Sequence, residues 1–476
     1  MDAWRDRLQA ELAEQGIEVA DLKPLHGGAC QENFAVVARD GRRFALRSDA
    51  NQSLPGSLGR ALEAQLVQVA TAHGVQTPAV RAVFPDLLRE GAVAYLMDWA
   101  DGIAIGAKIQ RDPKLAGARE VLIPQLARAL AKIHAVRPEH APDLKPDNPQ
   151  DALDSDAVTA ALRFCREMMD AMAPRPAMER IYQWLDTHRP DPGPLVLTHG
   201  DYRVGNFLVV PDGLSAILDW EFAHWGSAGE DLAWITVRDW RFGRPDLAVG
   251  GVGTREGFLD AYREAGGVPL DAATLRWFEV LGNLRWATGA VFQAQRVLTG
   301  AEADLELLAI GRRAAEMEWE ALRVMGVLAE VPRVAPLKGP VSTDAPDAAT
   351  LLAGVAGFLA KDVVGAITDP GLGFRVRIAA HLAGVVAREA VLGEAHAQAD
   401  LDGLVSMGLA EPTSGAVAVR SAVLRGQAAL CQALRDGSCD LAAVDRQLTG
   451  QLARQLAISN PRFSLERTLG EDPWTS

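Results

Sequence analysis

The stretch of residues 198–221, THGDYRVGNFLVVPDGLSAILDWE, constrains the fold more than any other part of the chain. Asp201 is followed five residues later by Asn206, and Asp219 closes the stretch after an apolar run. Leu208 to Val210 and Leu214 to Leu218 read as two short strands, with Pro211-Asp212-Gly213 as the turn between them. A hairpin there returns the chain on itself and places Asp219 beside Asn206. Any one of these polar residues alone reads as a turn, a cap or a strand end. Together, on either side of a turn-centred hairpin, they predict a site.

The D-x-x-x-x-N spacing of Asp201 and Asn206 is that of a kinase catalytic loop. Phosphoryl transfer needs an aligned hydroxyl and positive charge over the phosphate oxygens far more than covalent help. Asn206 and Asp219 offer two hard oxygen ligands suited to magnesium. Asp201 is the candidate to orient the nucleophile and take its proton.

His199-Gly200-Asp201, Asn206 and Asp219-Trp220-Glu221 resemble the catalytic loop and metal-binding Asp of the aminoglycoside phosphotransferase family, a kinase-like superfamily. The phrases YLMDWADG (95–102), LTHGDYRVGNFLV (197–209), ILDWEFAHWG (217–226) and LGNLRWA (281–287) are similar to a branch fused to, or encoded near, acyl-CoA dehydrogenases. The similarity covers roughly residues 20–325. It implies an α+β, bilobal protein-kinase-like fold with a small mixed β-sheet lobe and a larger, mostly α lobe. It also implies ATP and Mg2+ as cofactors.

The same resemblance suggests roles for residues elsewhere. Glu32 to Arg39 and Arg42 to Arg47 alternate around Asp40-Gly41, a hairpin signal, and Gly27 and Gly28 precede the first strand where a phosphate-covering loop belongs. A Gly-Gly pair is also simply a turn. Arg47 stands where the superfamily pattern usually has a phosphate-contacting Lys, and Glu63, on a helix over 58–73, is its expected ion-pair partner. Both also read as solvated surface charges. The strand from Val93 to Met97 leads to the hinge, where backbone around Asp98 and Ala100 would meet adenine. Asp231 is expected to support the catalytic loop, and His134 to be a packing residue.

Six of eleven tryptophans fall between 220 and 286, and most read as core. A minority could line a substrate pocket. Arg238, Arg241 and Arg244 recur at three-residue intervals in VRDWRFGRP and either form a solvated face or attract an acidic substrate. Glu221, Arg238, Arg241 and Trp286 are the candidate substrate contacts.

A chain of 476 residues exceeds one core. The expected domains are a nucleotide-binding lobe over 1–98, a catalytic lobe over 99–330, a proline-rich linker over 331–346 and a helical bundle over 347–476. The bundle resembles a helical domain of unknown function that accompanies such phosphotransferases. A net charge of -14 argues against nucleic acid. The cysteines, at 30, 165, 431 and 439, show no metal-ligand spacing and read as reduced thiols. The N-terminus does not read as a signal peptide, and no run approaches the ~18 apolar residues of a membrane span. A cytoplasmic location without membrane or nucleic-acid partners is therefore expected.

The expected activity is ATP- and magnesium-dependent phosphorylation of a small-molecule hydroxyl, with a hydroxyacyl compound or its CoA ester as first substrate class. The alternative is a weak or inactive kinase-like module that binds nucleotide or acyl-CoA and docks a partner enzyme. Aminoglycoside or choline-type acceptors rank lower. An acyl-CoA dehydrogenase or other fatty-acid enzyme is the expected partner.

Overall fold

Alternating apolar residues in five short strands build the sheet that opens the chain. In the computed structural model, which describes residues 3–25, 32–49, 54–145, 148–244, 246–331, 345–463 and 465, these strands are β1 (Val19–Pro24), β2 (Glu32–Ala38), β3 (Arg43–Ser48), β4 (Val80–Pro85) and β5 (Val93–Asp98). Their order is β1-β2-β3-β5-β4, and every neighbouring pair is antiparallel. The sheet is thus antiparallel where a mixed one was expected. The helix Arg60–Ala72 separates β3 from β4, which takes the edge, and β5 returns between them.

The period of two in the strands decides what each face meets. Phe44, Leu46, Ala94 and Leu96 join Leu8 and Leu12 of the N-terminal helix Ala3–Glu14 in one buried cluster. Tyr95 and Met97 point the other way and pack with Ala64 of the helix Arg60–Ala72. Arg47 pairs with Tyr95 across β3 and β5, so its side chain falls on the face that this helix covers.

By contacts the chain divides into two compact units. The first comprises residues 1–164 and 190–278 and holds the sheet, the helix Ala116–His134 and the stretch 196–234. Within it β6 (Val196–Thr198) pairs with β9 (His224–Gly226), and β7 (Phe207–Val210) with β8 (Gly213–Ile217). The second unit comprises residues 165–189 and 279–476. There the helix Pro176–Thr187 packs against Ala416–Asp436, and Ala314–Met325 against Leu441–Ser459. Arg180 holds Asp445 at 2.9 Å, and Arg435 reaches Glu179 at 3.1 Å.

Two helices, Leu305–Gly311 and Ala314–Met325, follow one another closely. Within the bundle a single long helix, Pro370–Ser406, has its start capped by the Asp369 carboxylate. A further correction concerns 348–366. This stretch is helical over 19 residues and mostly exposed, and among the described residues it alone is long and apolar enough to cross a membrane. Lys361 and Asp362 interrupt the apolar run in sequence but leave its overall composition apolar.

Candidate active site

The loop 199–206 leaves β6 and is pinned from below by one buried carboxylate. Asp231, on the helix Ala228–Trp234, accepts the His199 N–H at 2.7 Å and the Gly200 N–H at 3.0 Å. Nε2 of His134 lies 3.2 Å from the same carboxylate, and Nδ1 of His134 lies 2.7 Å from the Tyr262 hydroxyl. Burial alone would raise the Asp231 pKa, but His134 and the backbone N–H groups outweigh it and hold the carboxyl below the usual range. Gly200 has φ +76°, and a Cβ there would run into the Phe222 carbonyl, so glycine is required.

His199 ties this loop to the strand end at Leu218. Its Nε2 lies 3.0 Å from the Leu218 carbonyl, which can only accept, so Nε2 carries the proton. Nδ1 is then the acceptor for the Asp201 N–H at 3.3 Å. The ring is neutral in this arrangement. Burial pushes its pKa down, against the pull of Asp231 and Asp201.

Asp201 is held by three side chains. Oδ1 accepts from Trp234 Nε1 at 2.6 Å and from Arg203 Nε at 2.9 Å, and Oδ2 accepts from Asn206 Nδ2 at 2.6 Å. The Asn206 amide also donates to the Asp201 carbonyl at 2.9 Å. With its NH2 turned to two acceptors, Asn206 has its amide oxygen to offer a cation.

The hairpin of β7 and β8 forms with Phe207 opposite Ile217, and the Leu218 N–H donates to the Asn206 carbonyl at 2.8 Å. Asp219 therefore lies beside Asn206, as the spacing predicts. Its backbone is left-handed at φ +70°, unusual for a residue other than glycine. Oδ1 of Asp219 receives Arg47 Nη2 at 2.7 Å, and the same nitrogen lies 3.4 Å from Glu63. Arg60 makes a very short contact with Glu63 and reaches Glu221 at 3.1 Å. Two guanidiniums thus face three carboxylates. Burial works against the Arg47 charge, but Glu63 and Asp219 outweigh it and the group stays protonated. Burial and then Asp219 push the Glu221 carboxyl up to about 7, with Arg60 opposing.

The structure thus brings Arg47, Glu63, Asp219 and Glu221, with Arg60, into one ion-pair cluster and Asp201 with Asn206 into a second, the two joined through the backbone bond from Leu218 N–H to the Asn206 carbonyl. Arg60 was not anticipated, although its i,i+3 spacing to Glu63 was a readable signal. Arg203 and Trp234 were also missed as neighbours of Asp201, and Trp240 as the ring against the Arg203 guanidinium. Gly27 and Gly28 lie outside the described residues. Asp98 pairs with Arg81 through both carboxylate oxygens, and its N–H already donates to the Ala79 carbonyl. Ala100 follows it on a half-buried turn.

The basic stripe expected in 237–245 does not form one face. Arg241 is buried, with Nε and Nη2 both donating to the Thr236 carbonyl, at 3.1 and 2.6 Å. Arg244 is exposed and paired with Asp246, while Arg238 is half-buried. A short 3-10 turn over 238–241 turns the three side chains apart, which corrects the expectation of Arg241 as an open substrate contact. Trp286 is half-buried on the helix Ala272–Leu298, in the second unit.

Among the described residues no group of three or more His, Cys, Asp or Glu side chains is placed to hold a metal by itself. Asn206 and Asp219 supply one amide and one carboxylate oxygen. That donor set fits magnesium, which commonly takes one or two carboxylates and completes its shell with water and substrate phosphates.

Residues 21–278 match the model of the phosphotransferase enzyme family, and residues 367–463 match a domain of unknown function (DUF6285). Acyl-CoA dehydrogenase family member 10 of Mus musculus is 26% identical over 246 residues, 49% of this chain and 22% of that protein. The chain therefore spans about a fifth of the length of this curated relative. A solved structure from Ralstonia eutropha, named for the aminoglycoside phosphotransferases, is 21% identical with a TM-score of 0.50, covering 67% of this chain and 97% of that one. A macrolide 2'-phosphotransferase from Brachybacterium faecium is 20% identical with a TM-score of 0.43, covering 66% and 96%. Matched by the family model over more than half its length, and folded around the loop and hairpin just described, the chain belongs to the phosphotransferase enzyme family.

Proposed function

We propose that this protein transfers a phosphoryl group from ATP to a hydroxyl of a small molecule. The observation that carries the reading is the placement of Asp201, Asn206 and Asp219 around one loop and hairpin, with Arg47 and Glu63 beside Asp219. Asp201 orients the acceptor hydroxyl and takes its proton; the donors on both of its oxygens fix the direction in which it does so. Asn206 and Asp219 would hold magnesium, which supplies positive charge over the phosphate oxygens when bound. Arg47, kept charged by Glu63, stands where it can meet a phosphate with a two-pronged guanidinium. On this reading residues 1–98 form the nucleotide lobe and 99–330 the catalytic lobe.

The acceptor class we favour is a hydroxyacyl compound, free or as its CoA ester, supported by the likeness to a protein named as an acyl-CoA dehydrogenase. A dehydrogenase or other fatty-acid enzyme would then be the partner, with the C-terminal helices as its docking element.

A second reading is favoured by one contact. Arg47 bonds directly to Asp219, so a binding module that holds nucleotide or acyl-CoA without turnover would have this same pairing as its resting state. Asp201→Ala separates the two readings. In an active kinase it lowers turnover by ~10²- to 10⁴-fold and leaves nucleotide affinity unchanged. Turnover equal to wild type would remove Asp201 from its assigned role.

A further inference from the structure

Arg203 is the charged residue of the loop 199–206 besides Asp201, and neither the metal nor the nucleotide assignment uses it. Its Nε bonds to Asp201 at 2.9 Å, its guanidinium carbon lies 4.4 Å from the centre of the Trp240 ring, and Nη1 lies 3.4 Å from the Val204 carbonyl. Gly205, at φ +121°, completes the seat: a Cβ there would press on Nη1 of Arg203. An aromatic face, a carboxylate and a missing side chain thus all serve to hold one guanidinium. The side chain remains 26% exposed, and among the described residues no protein acceptor is found for Nη2.

This placement has a chemical consequence. A group that must accept a hydroxyl proton here has an arginine bonded to one of its two oxygens. The cation repels any acceptor that carries an ammonium near the reacting hydroxyl. It attracts one that carries a carbonyl-type oxygen there, which Nη2 can bond while Nε stays on Asp201.

We infer that Arg203 is a specificity-determining residue that reads a carbonyl-type oxygen, of a carboxylate or a thioester, a few bonds from the hydroxyl to be phosphorylated. This rests on the reading of Asp201 as the group that orients the acceptor. Because Arg203 and the acceptor hydroxyl share Asp201, the oxygen it reads has to be close to the reacting centre. The phosphates of a CoA ester, at the far end of the pantetheine arm, do not meet that condition; the thioester carbonyl does.

The test is a panel of short hydroxy acids with the hydroxyl at carbon 2, 3 or 4. Each is supplied as the free acid, as the CoA thioester and as the diol of equal length. KM and kcat are measured with ATP and magnesium on wild type, Arg203→Met and Arg203→Lys, with nucleotide binding followed separately by melting temperature. The expected result is that wild type prefers carbonyl-bearing members and that Arg203→Met raises their KM by ~10- to 100-fold, the worth of one charged hydrogen bond. KM for ATP stays as in wild type. Loss of the Arg203 bond to Asp201 lowers kcat for diols and carbonyl-bearing acceptors alike. The reading of the oxygen therefore shows as the rise in KM confined to carbonyl-bearing members, with Arg203→Lys between. Whether free acid or thioester responds identifies the source of the oxygen.

Equal KM for the carbonyl-bearing acceptors in wild type and both variants would overturn the inference and leave the phosphotransferase reading standing. So would nucleotide binding with turnover of diols alone, or with no carbonyl-bearing acceptor turned over. Absence of nucleotide binding in wild type would overturn both.

Discussion

At the scale of single residues, the loop 199–206 is held by groups that need touch no substrate. Gly200 has the Phe222 carbonyl where a side chain would begin, so Gly200→Ala must displace backbone on one side or the other. We expect a melting temperature lower by several degrees, in line with ~1–3 kcal/mol for a forced backbone conformation. Asp231 accepts two backbone N–H groups of the loop with two oxygens, and Asp231→Asn replaces one acceptor by a donor. The expected loss is about 1–3 kcal/mol, measured by denaturant unfolding at neutral pH. The pH dependence gives an independent check. The folded Asp231 pKa is lowered from 3.8, so its contribution is complete well above that value and disappears as pH falls below it. Asp231→Asn should therefore flatten the acid limb of the stability curve, and an unchanged limb would exclude Asp231 as its source.

At the scale of elements, the hairpin over 207–217 was legible because both signals agreed: apolar strands on each side and Pro-Asp-Gly between them. The same agreement made the Asp40-Gly41 hairpin readable. What could not be read were pairings made by tertiary contact alone. β6 and β9 are three residues each, and their pairing is long-range, so no local pattern marks it. β1 carries Asp21 and Lys23 and lies at the sheet edge, where alternation is weak. Arg241 was misplaced for a similar reason. Three-residue spacing gives a common face on a long helix, whereas residues 238–241 make a short turn whose fold draws one guanidinium inward. The helix Ala228–Trp234 carries both Asp231 and Trp234 to the loop, and its start is a capping box between Ser227 and Glu230. Ser227→Ala should cost about 1 kcal/mol and lower the melting temperature. No change in stability would show that the helix start is fixed by packing.

At the scale of the whole molecule, the helices from residue 348 onward share a compact unit with 165–189 and 279–331. Arg180 and Glu179 are buried there and pair with Asp445 and Arg435. A chain ending at residue 331 would leave Arg180 without Asp445 and Glu179 with Arg166 alone, so its melting temperature should lie below that of the full chain. Equal melting temperatures would mean that the C-terminal helices stabilise nothing but themselves. The central claim is that Asp219 helps to hold magnesium with the nucleotide, and a thermal-shift titration tests it most directly. ATP and magnesium are added separately and together to wild type and to Asp219→Ala. A ligand at a hundred times its dissociation constant stabilises the folded state by about 2.7 kcal/mol, a readable shift. The expected result is a shift with ATP in wild type that grows with magnesium and loses that magnesium-dependent part in Asp219→Ala. The same magnesium-dependent shift in both proteins, or no shift in either, would contradict the assignment.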